Sequence, residues 1–148
     1  MSDDAFAGAL DYLATHNVLT LATQGPAGLW AAAVFYASEQ FSLYFLSAPD
    51  TRHVQNLRHN PRAAGTIQED YADWKEIKGI QLEGAVHQLS GAEREAAVDL
   101  YEAKFAFLRE APPQMRDALN RVDWYRLRPD SLYFIDNSRG FGHRERIL

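Results

Sequence analysis

With 148 residues, 47% of them hydrophobic and 24% charged, the chain has the make-up of one globular domain with enough apolar residues for a core. A net charge of −5 argues against non-specific nucleic-acid binding, and zero cysteines exclude disulfides, thiolate metal sites and a cysteine nucleophile. The sequence has no apolar run of about 18 residues that would cross a membrane. The acidic start MSDDAFAGAL also lacks the basic segment and apolar centre of a signal peptide, so a cytoplasmic protein is expected.

In chain order, residues 3–16 have helical periodicity, with Phe6, Leu10 and Leu13 on one stripe and Asn17 as a left-handed cap. Residues 18–23 form a strand, and residues 24–28 a Gly-Pro turn. A second strand follows at 29–36, where Ala31, Ala32 and Ala33 lie between Trp30 and Phe35. Such small residues either let a flat molecule approach the backbone or make room for a neighbouring element. Residues 37–40 turn the chain into the aromatic strand FSLYFL at 41–46. After the break Ser47-Ala48-Pro49-Asp50, residues 51–59 read as a short helix with Val54 and Leu57 on one face; Asn60-Pro61 ends it.

Residues 62–67 are again strand-like, and the acidic stretch 68–76 is a hairpin loop in which Trp74 is either a lid or a cover for the barrel end. Residues 77–87 alternate as a strand, with Gly79 and Gly84 marking bulges or close backbone approach. Ser90 and Glu93 have capping-box spacing ahead of a helix over 91–109, and a short helix over 114–120 starts after Pro112-Pro113. Two last strands, 123–128 and 131–136, are separated by Pro129-Asp130, and a polar tail of residues 137–148 follows. Together these elements predict a mainly β fold, a small barrel with accessory helices.

The start of the short helix is the most chemical feature. Unpaired N–H groups and the macrodipole make a helix N-terminus an anion site. Here Arg52 and His53 stand in the first turn, with the hydroxyls of Ser47 and Thr51 close in sequence, a set suited to a phosphate monoester. The competing explanation is that Asp50 or Ser47 caps the helix and Arg52 is a solvated charge.

The pattern LYFLSAPDTRHVQNLRHNPRAAGTI followed by IKGIQLEGAV, with the closing DNSRGFGHRERI, resembles the pyridoxamine 5′-phosphate oxidase-like family of FMN-binding split barrels, over roughly residues 18–146. The resemblance implies a six-stranded split β-barrel, a homodimer with two flavins at its interface, and a flavin-dependent oxidoreductase. It also implies that Arg52 and His53 hold the FMN phosphate, with Ser47 or Thr51 donating hydroxyl bonds. By the same resemblance Ala33, Val34 and Phe35, with Phe45 and Leu46, line the isoalloxazine, while Gln81 and Asn56 reach the flavin or ribityl oxygens. His53 departs from the family pattern: many relatives have lysine there, so a fixed charge becomes one that depends on pH. Phe141, between Gly140 and Gly142, either reaches a partner's flavin or belongs to an arm that straps the dimer.

Other chemistries find little support. The histidines at 16, 53, 59, 87 and 143 have no H-x-x-x-H or H-x-H spacing, so no metal site is expected. Ser47 and Ser90 sit in no G-x-S-x-G elbow, and there is no G-x-G-x-x-G dinucleotide fingerprint. No side chain stands out as a catalytic acid or base. The substrate is an unidentified small molecule, with NADH or NADPH as candidate reductant. A non-catalytic flavin or haem carrier on the same barrel, and a dimeric interaction module with a vestigial site, are the alternatives.

Overall fold

The computed structural model describes residues 3–148; Met1 and Ser2, part of the acidic N-terminal stretch, lie outside the described residues. Among the described residues the core of the molecule is one antiparallel sheet of eight strands, curled into a half-barrel. Its strands are β1 (Val18–Gly25), β2 (Gly28–Phe35), β3 (Ala37–Glu39), β4 (Ser42–Ser47), β5 (Arg62–Gln68), β6 (Lys78–Gln88), β7 (Asp123–Asp136) and β8 (Arg144–Arg146). They run in the order β2-β1-β5-β6-β7-β4-β3, with β8 paired to the far half of β7. Four helices accompany them: α1 (Asp3–Thr15), α2 (Arg52–His59), α3 (Gly91–Lys104) and α4 (Pro113–Leu119).

Period-two patterning decides which face of the sheet is filled. Leu19 and Leu21 of β1, Ile67 of β5, Ile80 and Leu82 of β6, and Leu132 and Phe134 of β7 all point inward. Ala5, Ala9, Tyr12 and Leu13 of α1 close one side of this core, and Val54 and Leu57 of α2 join it. A second cluster lies under α3, where Tyr101 and Phe105 meet Leu89 and Trp124; the Tyr101 and Trp124 rings meet edge-on at 5.2 Å.

Several elements differ from the sequence expectation. The strand count is eight rather than six. Residues 123–136 form one strand, not two: Pro129 is accommodated where the β6–β7 register shifts between Glu83 and Gly84. A side chain at Gly84 would collide with the Arg128 carbonyl, so glycine permits the bulge that takes the proline. Residues 37–39 pair with β4 as β3 instead of turning, and the turn falls on Gln40, at φ 53°. Helix α3 ends at Lys104, followed by a 3₁₀ turn at Ala106–Leu108. Ser90 occupies its N-cap position without a side-chain bond, so the capping box is not formed. The tail is not a free arm, because β8 pairs with β7 and Ile147 joins the core.

Candidate functional site

The chain leaves the core strand β4 at Ser47 and re-enters regular structure at Thr51, which settles the cap. Thr51 has extended φ/ψ, and its Oγ1 accepts a bond from the Val54 N–H at 3.4 Å while donating to the Ala48 carbonyl at 2.9 Å. Neither Asp50 nor Ser47 caps the helix. Further along, the Gln55 amide donates to the Pro49 carbonyl at 2.7 Å and ties the turn to the helix.

Helix α2 is docked on the β1–β2 hairpin by two polar clasps. On its buried side Asn56 donates from Nδ2 to the Thr23 hydroxyl at 3.1 Å. Gly25 is required there, since any Cβ would strike the Asn56 amide oxygen. On the exposed side Arg52 reaches over the hairpin turn. Its Nη2 donates to the Ala27 carbonyl at 2.9 Å and more weakly to Leu29 at 3.4 Å, and its Cζ lies 4.3 Å from the centre of the Trp30 ring. Gly28, at φ 107°, makes the turn that brings these carbonyls under the guanidinium. Nε and Nη1 of Arg52 have no partner among the described residues.

His53 faces the other way. It is buried, and its Nε2 lies 2.7 Å from Ser47 Oγ and 3.5 Å from Thr51 Oγ1. Burial pushes its pKa below the ordinary histidine value. The imidazole is therefore neutral near pH 7, a hydrogen-bonding link between helix and strand end rather than a second cation.

The other predicted site residues form two further groups. Ala33 and Gln81 lie on one cross-strand row of the outer face, in which Ala33 pairs with Thr20, Thr20 with Thr66 and Thr66 with Gln81. Beside that row Ala22 lies between Ala31 and Ala64. Phe35 is on the same outer face, 48% exposed, while Val34 turns inward against the core. Phe45, by contrast, is fully buried inside the barrel and stacks on Tyr125 at 5.3 Å, and Leu46 packs toward the α3 cluster. Phe141 lies beyond the β7 end that pairs with Lys78, at the opposite end of the strands from Arg52. It is 83% exposed and meets Trp74 edge-on at 5.6 Å.

Ser47, Thr51, Arg52, His53 and Asn56 thus come together at the hairpin, and Ala33, Phe35 and Gln81 share the face beside it. Sequence reasoning missed the roles of Thr23, Gly25 and Gly28, which hold this arrangement. Thr23 carried one signal, a polar residue at an inward position of an alternating strand.

Comparison with known proteins agrees with this architecture. The family profile described as pyridoxamine 5′-phosphate oxidase matches residues 7–136. The chain belongs to this family. Among curated relatives, a UPF0306 protein of Citrobacter koseri is 30% identical over 135 residues, covering 90% of this chain and 86% of its own length. One from an Enterobacter species is 32% identical over 135 residues, covering 90% and 89%.

Solved structures below 25% identity share the fold. A heme-binding protein from Mycobacterium smegmatis superposes with a TM-score of 0.81 at 22% identity over 100% of this chain, which spans only 59% of that longer protein. HutZ of Vibrio cholerae, described as a heme storage protein, gives 0.69 at 16% identity over 85% of this chain and 91% of its own. An FAD-binding protein from Mesorhizobium loti gives 0.67 at 16%, covering 85% and 88%. Proteins that share this fold thus include ones described as heme-binding or heme storage proteins and one described as FAD-binding.

Proposed function

We propose that the protein binds FMN, with its phosphate at the start of α2 and its ring on the small-residue outer face of β2, β1, β5 and β6, and that it works as a flavin-dependent oxidoreductase. The observation that carries this is Arg52: its guanidinium is held by the hairpin carbonyls and the Trp30 ring, yet Nε and Nη1 remain unused beside the free N–H groups of the first helical turn. A phosphate dianion suits that donor set, because a positioned arginine supplies directed N–H bonds at little further cost in side-chain order.

Each residue then has a distinct task. Arg52 neutralises and orients the phosphate. His53 binds no charge; through Ser47 it fixes the strand end from which the helix starts. Asn56 holds the helix to β1, which sets the distance between phosphate donors and sheet face. Ala31, Ala33, Ala22 and Ala64 leave room for a planar ring, and the Gln81 amide offers a donor to a polar ring edge on the same row. The flavin supplies the redox chemistry when bound, and the chain supplies orientation and charge. A nicotinamide nucleotide is the proposed reductant.

A haem-carrier role is the second possibility, favoured by the M. smegmatis and V. cholerae neighbours. The row Ala33, Thr20, Thr66, Gln81 offers no imidazole to iron, which favours the flavin. Titrating the purified protein with FMN and with haemin, followed by absorbance, decides between them. Saturable FMN binding with a shifted flavin band supports the proposal; tight haemin binding with a sharp Soret band and no FMN binding contradicts it.

A further inference from the structure

Helix α3 lies on the side of β4 and β7 turned away from the main core, and its packing leaves a cavity of about 160 Å³. Leu89 and Ala97, buried members of the second cluster, line it together with half-buried Tyr44 and Leu100. The strands beneath are not those proposed to carry the flavin. Drug-sized ligands fill clefts of roughly 300–1,000 Å³, so this cavity suits a much smaller molecule.

Three charged groups share the cavity without pairing. Arg126 comes from β7, Glu39 from the end of β3 and Glu93 from the first turn of α3. Among the described residues Arg126 meets no carboxylate, whereas Arg62 pairs with Asp130 and Glu83, and Arg139 with Asp136. The Arg126 Nε donates to the Ser42 hydroxyl at 3.0 Å, which steadies the guanidinium and leaves Nη1 and Nη2 unused. Glu93 is the glutamate of the capping box that does not form. Its carboxylate has no partner among the described residues, and neither do the Glu39 carboxylate and the Tyr44 hydroxyl. Charges beside a surface crevice are common, and Arg126 would tie β7 to β4 through Ser42 in any case. That role uses one of the five guanidinium N–H donors and neither carboxylate.

We propose that this cavity binds a free α-amino acid with a small aliphatic side chain. The ligand carboxylate takes the paired Nη edge of Arg126, its ammonium group lies by Glu39 and Glu93, and its side chain packs on Leu89, Leu100 and Ala97. A simple carboxylate would leave the acidic pair unanswered, and a simple amine would leave the guanidinium so. The site does not depend on the flavin assignment above.

L-Leucine is the probe, titrated calorimetrically into the full chain, into Arg126→Gln and into the double variant Glu39→Gln/Glu93→Gln. The expected result is saturable binding to the parent that weakens at least about ten-fold in each variant, the loss that follows removal of a charge-assisted bond. 4-Methylpentanoate and 3-methylbutylamine keep the aliphatic body with one charge each, and each should bind at least about ten-fold more weakly than leucine. Leucine binding that is absent, or equal in parent and variants, overturns the proposal. So does either singly charged analogue binding as tightly as leucine. If Arg126→Gln melts below the parent, the double variant decides, because Glu39 and Glu93 are exposed and hold no other group. Undiminished leucine binding there overturns the site.

Discussion

His53 shows what a residue's surroundings do to a charge inferred from sequence. By the family resemblance it stands where many relatives have lysine, and a histidine's partial charge near pH 7 implies a pH-dependent phosphate contact. In the fold it is buried against Ser47, and burial lowers its pKa. The unfolded imidazole, with a pKa of about 6.5, then binds protons that the folded one refuses. Stability is therefore fully present above about pH 6.5 and lost as pH falls through that value toward the folded pKa. His53→Gln should flatten the acid limb of a melting-temperature profile, and an unchanged limb would show that another group controls it. For the same reason the preference for FMN over riboflavin should stay constant between about pH 6.5 and 8.5. A preference that shrinks across this range would mean that His53 binds as a cation. The place of Arg52 in the first turn of α2 was legible because the break at Ser47-Ala48-Pro49-Asp50 marks where the helix starts. Phe45 was assigned to the flavin although it lies inside the barrel, since an apolar strand run with aromatics does not declare which side is buried.

At the scale of elements, the sequence conveyed the long strands and helices, and the misses share a cause. Three-residue strands carry too little pattern: β3 reads as a turn, and β8 reads as a polar tail because two of its positions face outward as arginine. Pro129 signals a break, yet the bulge at Gly84 absorbs it. Ser90 has capping-box spacing, but Gly91 sits at φ 59° and the cap bond is not made. The tail now carries a different expectation from the one its composition gave. Ile147 is 6% exposed, Asn137 bonds to the Trp74 carbonyl at 2.9 Å, and Ile147 and Leu148 both donate to the Leu132 carbonyl. Burying one isoleucine contributes about 1.5–3 kcal/mol, so deleting residues 137–148 should lower the melting temperature by at least about 5 °C. A truncated protein that melts with the parent but binds FMN poorly would restore the tail as a cofactor arm.

For the whole molecule, the outer sheet face is the unfinished part. Leu29 is 76% exposed, and Val18 and Phe35 are also open to solvent around the alanine-lined strands. Isolated apolar residues on a surface are ordinary, but a contiguous set marks an interface. A second copy is the expected cover, with the flavin between the two. Sedimentation at micromolar concentration should give a dimer, and Leu29→Lys should shift it toward monomer while weakening FMN binding. A monomer that still binds FMN tightly would mean that each chain holds the cofactor alone. Sequence resemblance indicated this pairing; composition did not, because the face is built largely from alanine and threonine, which no hydropathy pattern separates from ordinary surface.

The phosphate contact at Arg52 is tested most directly by fluorescence titration of FMN and riboflavin into the parent protein and Arg52→Ala. A charge-assisted bond to phosphate is worth about 1.5–3 kcal/mol, so FMN affinity should fall roughly ten- to a hundred-fold. Riboflavin, which lacks the phosphate, should bind the two proteins alike. Equal losses for both ligands would contradict the account and leave Arg52 as a clasp on the β1–β2 turn.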